Sequence, residues 1–274
     1  MQYQEIVDLD WDVLVILDAC RFDVFREVIG DFFDGETEVR LSRGSTTSEW
    51  LHNTFEKPLK GVTYVSANPF VNSKGMPLNK TCTKCCVHWD PTKYFDVIVD
   101  VWDDGWESSL GTVLPESVNH AFARVIDDNR KIVHYMQPHG PYISFGHGSW
   151  KGARDRTMGL LEKRAPPGRF KLVRDKLISY APVKRIWDVK ELLGLPGELA
   201  VEIGYRKKGD VMYFYRDNLK KALTSVSKLL RLCSGKVVIT SDHGEAFGEK
   251  GVWGHPYGSH LEVLRKVPWF ELEV

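Results

Sequence analysis

Five short apolar runs, each closing on polar residues, constrain this chain more than any other feature. They are Val13-Leu-Val-Ile-Leu17, which runs into Asp18; Gly61-Val-Thr-Tyr-Val-Ser66, which ends at Asn68-Pro69; Phe95 to Trp102; Lys131 to Met136; and Lys236-Val-Val-Ile-Thr240. Near-continuous β-branched runs of this length suit strands covered on both faces, as in a parallel sheet. Helical spacing lies between them, with Phe22, Phe25 and Ile29 after the first run. Val118, Phe122 and Val125 follow a proline suited to a first helical turn, and Leu219, Leu223, Val226 and Leu230 precede the last run. Strands alternating with helices predict an α/β fold, a doubly wound and mostly parallel sheet with helices on both faces. Residues 150–209 break the pattern: they are basic and carry Pro166-Pro167, Pro182 and Pro196. They read as a helical or irregular insertion, a cap within a single domain spanning residues 1–274.

Charge and cysteine usage narrow the partners. The chain carries 37 basic and 37 acidic side chains, so it lacks the basic surplus of a nucleic-acid binder. The basic stretches around Lys163-Arg164 and Lys184-Arg185 are interrupted by acidic residues and prolines, and read as solvated faces. The first residues, Met1 to Asp12, are polar and acidic and do not form a secretory signal. No apolar run approaches the roughly 18 residues of a transmembrane helix, so the expected location is cytoplasmic. Five cysteines suit a reduced compartment better than a disulfide scaffold. Cys82, Cys85 and Cys86 form a C-x-x-C-C cluster without a second pair at zinc-ribbon spacing, which favours loop cysteines over a structural zinc.

The polar residues at the strand ends carry the chemistry. Open α/β sheets bind ligands outside the carboxyl ends of their strands. Asp18 follows the first run, Asn68 the second, Gln137-Pro-His139 the fourth and Ser241-Asp-His-Gly-Glu245 the fifth. Arg43-Gly-Ser-Thr-Thr-Ser-Glu49 lies between the first two and precedes a helix-like stretch. Aspartate and neutral imidazole suit zinc, manganese or magnesium. An Asp-His pair is weak evidence alone; two separated aspartates, three histidines and a hydroxyl cluster converging on strand ends are stronger.

These motifs together resemble the sulfatase-like branch of the alkaline phosphatase superfamily, and are especially similar to lipoteichoic acid synthases and phosphoethanolamine transferases. In that branch an early acidic residue, a Ser or Thr nucleophile and a late Asp-His pair bind a metal. The resemblance implies Asp18, Ser45, Asp242 and His243 as ligands of a divalent metal, zinc or manganese first, then magnesium or calcium. His139-Gly-Pro141 matches an "HGP" element, and His255 follows a "GE.G" element at Gly248-Glu-Lys-Gly251. Aligning Ser45-Thr-Thr-Ser-Glu-Trp50 on the synthase pattern T-S-D-S-E-F puts Ser45 at the nucleophile, with Thr46 second and Thr47 third. The same hydroxyls also read as an N-cap cluster opening a helix near Glu49. Thr47 and Glu49 replace the Pro and Arg of the sulfatase C-x-P-S-R pattern, which disfavours formylglycine conversion. Two-zinc relatives carry an Asp where this chain has Tyr135, so a second metal lacks its full ligand set.

The resemblance implies in-line displacement at phosphorus through a covalent Ser/Thr intermediate, completed by water or an acceptor alcohol. His139 and His255 then bind substrate oxygens, protonate the leaving group, or hold a metal loosely. Arg21 and Asn68 are further candidates for substrate contact, Arg21 equally for a structural salt bridge; His134 and His260 read as structural. The expected substrate is a small-molecule, glycan-linked or lipid-linked phosphate ester. A sulfatase acting on a sugar or aryl sulfate is the alternative within enzymes, and a binding protein retaining the fold is the alternative outside them.

Overall fold

The computed structural model describes residues 1–82, 84–145 and 208–274; the expected insertion at 150–209 lies almost wholly outside them. Its frame is a seven-stranded sheet. In chain order the strands are β1 (Val13–Leu17), β2 (Glu38–Leu41), β3 (Val62–Ser66), β4 (Val97–Asp100), the short pair β5 (Trp106–Glu107) and β6 (Thr112–Val113), β7 (Arg130–Tyr135) and β8 (Lys236–Thr240). A second short pair, β9 (Ala246–Phe247) and β10 (Trp253–Gly254), precedes β11 (Lys266–Glu273). The sheet order is β2-β11-β8-β1-β7-β3-β4, parallel throughout except for β11, which pairs antiparallel with β8 and β2.

The strands follow from the apolar runs because both faces are covered. Val13, Val15 and Leu17 of β1 belong to one core, and the alternating Leu14 and Ile16 to the other. The first core packs α1 (Phe22–Val28), α5 (Pro115–Phe122) and the long α6 (Lys208–Leu229) on the sheet; the second packs α2 (Thr47–Thr54) and the chain around α3 (Leu78–Thr81). A one-turn α4 (Val101–Asp104) caps β4, so the Phe95–Trp102 run is strand only in its middle. The remaining helix, α7 (Glu262–Arg265), leads into β11.

Two strands of the seven-stranded sheet lay outside the apolar-run reading. β2 is a short, half-exposed edge strand. β11 carries Pro268 among charged residues, a pattern that demotes a strand in sequence. It lies in the sheet all the same, with the Pro268 carbonyl accepting a bond from the Thr240 hydroxyl at 2.6 Å. No helix among the described residues is long and apolar enough to cross a membrane.

Candidate active site

The carboxyl ends of β1, β7, β3 and β8 meet the N-terminus of α2. At the end of β1 the backbone bends sharply: Asp18 is followed by Ala19 at φ 59°, a left-handed conformation unusual for alanine. The bend is held from three sides. The Ala19 N–H donates to Asp242 Oδ1 at 3.0 Å, the Cys20 N–H donates to Ser241 Oγ at 2.8 Å, and Tyr215 of α6 donates to the Ala19 carbonyl at 2.7 Å. Backbone strain of this kind persists where the surroundings over-determine it, and here it aims Asp18 across the sheet toward β8.

Asp242 and His243 follow β8, where strand alternation ends. Gly244 is required next, because a Cβ there would stand 2.0 Å from the Val263 carbonyl oxygen. His243 Nδ1 faces the Gly244 carbonyl at 2.8 Å. A carbonyl only accepts, so Nδ1 carries the proton and Nε2 presents a lone pair. That lone pair lies 3.7 Å from Asp18 Oδ1 and 3.4 Å from Asp242 Oδ2. Both carboxylate oxygens are buried and lack a hydrogen-bond partner. Three acceptors therefore converge, with the Thr47 hydroxyl as the donor set against them.

Electrostatics record the conflict. Burial, then the charge of Asp242, pushes the Asp18 carboxyl well above the usual carboxylate range. Burial also works against charge on Asp242, but the His243 and His134 imidazoles, the Ala19 amide and the Thr47 hydroxyl outweigh it and pull its pKa down. A divalent cation resolves such a pair, and two carboxylates with an imidazole are a fitting donor set. His134, expected to be structural, stands in the same group: its Nε2 lies 3.8 Å from Asp18 Oδ2, and its Nδ1 shares a hydrogen bond with Tyr64 at 2.9 Å. Burial holds the His134 pKa down at about 4, so the ring is neutral. Asn68 reaches the site by donating to Asp18 Oδ2 at 2.8 Å.

The three hydroxyls separate because α2 begins between them. Thr46 is its N-cap and accepts from the Glu49 N–H at 3.2 Å. Thr47, the first helical residue, places Oγ1 3.3 Å from His243 Nε2. Ser45 precedes the cap, and its Oγ lies 2.8 Å from both Glu49 Oε2 and the Pro256 carbonyl, away from the metal-type donors. Gly44 lets this turn lie against the helix, since a Cβ there would come within 2.2 Å of the Trp50 nitrogen. Of the three, Thr47 is thus the hydroxyl recorded against the Asp-His pair, while sequence alignment favoured Ser45.

A second group gathers beside the first. The His139 and His255 rings lie 5.0 Å apart, and His255 lies 4.6 Å from His243. Glu245 Oε2 bonds His255 Nδ1 at 3.0 Å, and His139, Glu245 and His255 bring donor atoms within 4.8 Å of one another. Burial drives the Glu245 carboxyl up to about 7 and the His139 imidazole down to about 4. Tyr135, where two-zinc relatives have an Asp, instead donates to Asn119 at 2.5 Å on the far face of the sheet. Glu245 was legible only as part of its motif; its meeting with His139 and His255 depends on loop geometry. Asn218 of α6 was not legible at all. It donates toward the Pro138, His139 and Pro141 carbonyls at 3.5, 3.3 and 3.2 Å and accepts from the Ile143 N–H at 2.9 Å, fixing the His139 loop.

Arg21 belongs to the scaffold. Its guanidinium binds Asp23 at 2.6 Å and Glu249 at 2.7 Å, and also faces the Glu245 carbonyl at 3.3 Å. These partners occupy the donors that a substrate anion was expected to use. All five cysteines are free thiols, and the candidate metal-ligand groups among the described residues do not include Cys82, Cys85 or Cys86.

No protein-family model matches the chain, and no curated protein matches it. It is similar to solved structures. One is the soluble domain of lipooligosaccharide phosphoethanolamine transferase A from Neisseria meningitidis, at 13% identity and TM-score 0.48, covering 94% of this chain and 75% of that one. Another is the C-terminal periplasmic domain of EcEptC from Escherichia coli in complex with zinc, at 11% identity and TM-score 0.43, covering 98% and 75%. A third is the phosphonate monoester hydrolase of Agrobacterium radiobacter, at 11% identity and TM-score 0.46, covering 96% and 68%.

Proposed function

We propose that the chain is a metal-dependent hydrolase or transferase of phosphate esters or diesters that works through a covalent intermediate on Thr47. The observation that carries this reading is the convergence of Asp18 Oδ1, Asp242 Oδ2 and His243 Nε2, three buried acceptors that meet at the Thr47 hydroxyl. Asp18, Asp242 and His243, with His134 beside them, would hold a divalent cation, zinc or manganese by donor type, which would neutralise charge on the phosphoryl group and on the attacking oxygen.

The chain's own residues supply the rest. Thr47 sits at the first position of α2, where the helix N-terminus favours negative charge on its oxygen and on a bound phosphoryl group. Held beside a cation that would lower its pKa, the Thr47 hydroxyl would give its proton to solvent, and its oxygen would attack phosphorus in line. His139 and His255 take the substrate's other side. The Glu245 bond to His255 Nδ1 orients the ring, and its Nε2 would serve as the proton donor to the departing alkoxide. Water or an acceptor alcohol then releases the phosphoryl group from Thr47. Ser45 and Thr46, both candidates in sequence, serve the loop and the helix cap in this reading.

A panel of nitrophenyl phosphate, bis-nitrophenyl phosphate and nitrophenyl sulfate, assayed with zinc or manganese, tests the proposal. Turnover of either phosphate ester supports it. Selective sulfate turnover points to the sulfatase alternative. Absence of both metal binding and turnover points to a binding protein.

A further inference from the structure

The loop that carries His255 continues at the surface beyond the ring. Gly254 and Gly258 bracket it in left-handed conformations, at φ 74° and 73°, and Pro256, Tyr257 and Gly258 are exposed. Apolar burial therefore fixes its position weakly, and hydrogen bonds must do so. They come from the turn before α2. Ser45 Oγ has one proton to give to Glu49 Oε2 or to the Pro256 carbonyl, each at 2.8 Å, and accepts from the Ser259 N–H at 3.0 Å. Glu49 Oε2 accepts from the Ser45 N–H at 2.8 Å and from the Gly258 N–H at 3.3 Å. Glu49 is also the third residue of α2, whose N–H bonds the Thr46 cap. One buried hydroxyl and one carboxylate thus join the start of the Thr47 helix to the stretch from Pro256 to Ser259 that follows His255.

We propose that Ser45 and Glu49 are positioning residues that clamp the His255 loop onto the N-terminus of α2 and so set the distance between Thr47 and His255. The catalytic meaning of the clamp rests on the function proposed above; its mechanical meaning does not. With the clamp made, Glu245 holds the His255 ring while Ser45 and Glu49 hold the backbone that follows it. Without the Ser45 hydroxyl, the Ser259 N–H and the Pro256 carbonyl turn to solvent and the ring drifts. Displacements near one ångström at a reacting group cost up to about a hundredfold in rate.

Two measurements on the full chain test the clamp. In S45A, hydrogen exchange at the Ser259 and Gly258 amides should speed by roughly tenfold, the scale of one lost hydrogen bond, while exchange in β1 and β8 stays unchanged. E49Q, which weakens the Gly258 and Ser45 amide contacts and leaves the Ser45 hydroxyl in place, should speed those two amides and leave the Ser259 amide unchanged. In turnover of nitrophenyl phosphate, S45A should lower kcat/KM by about tenfold to a hundredfold with its metal content intact. The S45A/H255A double variant should be no slower than H255A, because Ser45 acts through His255. Unchanged exchange in S45A overturns the clamp. So does an S45A enzyme as inactive as T47A, or an S45A loss that simply adds to that of H255A. A wild-type chain inactive on every ester removes the proposed function, and the exchange comparison still decides the clamp.

Discussion

Thr47 Oγ1 lies 3.3 Å from His243 Nε2, while Ser45 Oγ, two residues earlier, is occupied by Glu49, Pro256 and Ser259. The division is set by where α2 starts: Thr46 caps the helix, so Thr47 turns into the site and Ser45 stays in the extended chain before it. T47A is expected to lower kcat by at least about a thousandfold, the scale for removing a covalent nucleophile, with metal content unchanged. T47S should keep measurable turnover because it keeps the hydroxyl. Single-turnover assays with a phosphate ester, followed by mass analysis of the protein, would show the phosphoryl adduct in the parent enzyme and its loss in T47A. An adduct that survives in T47A and disappears in S45A would reassign the nucleophile.

Asn218 holds the His139 loop from the middle of α6, facing three of its carbonyls and accepting one N–H. Replacing it with leucine leaves buried carbonyls unpaired and is expected to cost about 1–3 kcal/mol of stability. Because the loop carries His139, kcat/KM should also fall by about tenfold or more. Denaturant melts paired with steady-state kinetics check both. A stability loss without a change in kcat/KM would separate the loop from the chemistry.

The sheet and much of the site were legible in the sequence for one physical reason. Central parallel strands are buried on both faces, so their apolar runs stand out, and their carboxyl ends mark where Asp18, Asn68, His139, Asp242 and His243 must gather. What escaped depended on contacts made far along the chain. β11 was hidden by Pro268, which is tolerated because its neighbours pair around it. His134 reads as one more strand residue until the β1–β7 register sets it opposite Ile16, two residues before Asp18. The choice among Ser45, Thr46 and Thr47 turned on a helix boundary, which no spacing of hydroxyls determines.

Arg21 ties the turn after β1 to the loop after Asp242-His243. Its guanidinium pairs with Asp23 and Glu249 and packs over the Phe247 ring at 5.4 Å. R21A should destabilise the protein by about 2–4 kcal/mol, since Glu249 and the Glu245 carbonyl lose a buried partner while Asp23 is half exposed and returns to water. For a chain of this size that is roughly a 5–15 °C drop in Tm, readable by calorimetry. The substrate KM should stay within about twofold, because those donors are already occupied; a large rise in KM with unchanged Tm would restore the substrate-binding role expected from sequence.

The Asp18–Asp242 pair makes a sharper claim about the cation. Without a metal, the two carboxylates stand buried around the His243 lone pair, and Asp18 is forced toward its protonated form by burial and by Asp242. Asparagine at position 18 removes one charge and keeps an oxygen that can accept from Asn68 and an N–H that can face His243. Chelator-treated D18N should therefore melt at or above the Tm of the chelator-treated parent, unlike most buried polar substitutions. Added zinc or manganese should reverse the order. At a hundred times Kd a ligand bound only by the folded state contributes about 2.7 kcal/mol, so the parent should gain roughly 5–10 °C. D18N, lacking a carboxylate ligand, should gain little. Differential scanning fluorimetry across a metal titration reads both arms. A parent that gains nothing, or a D18N variant that gains as much as the parent, would show that these acceptors are not arranged around a cation.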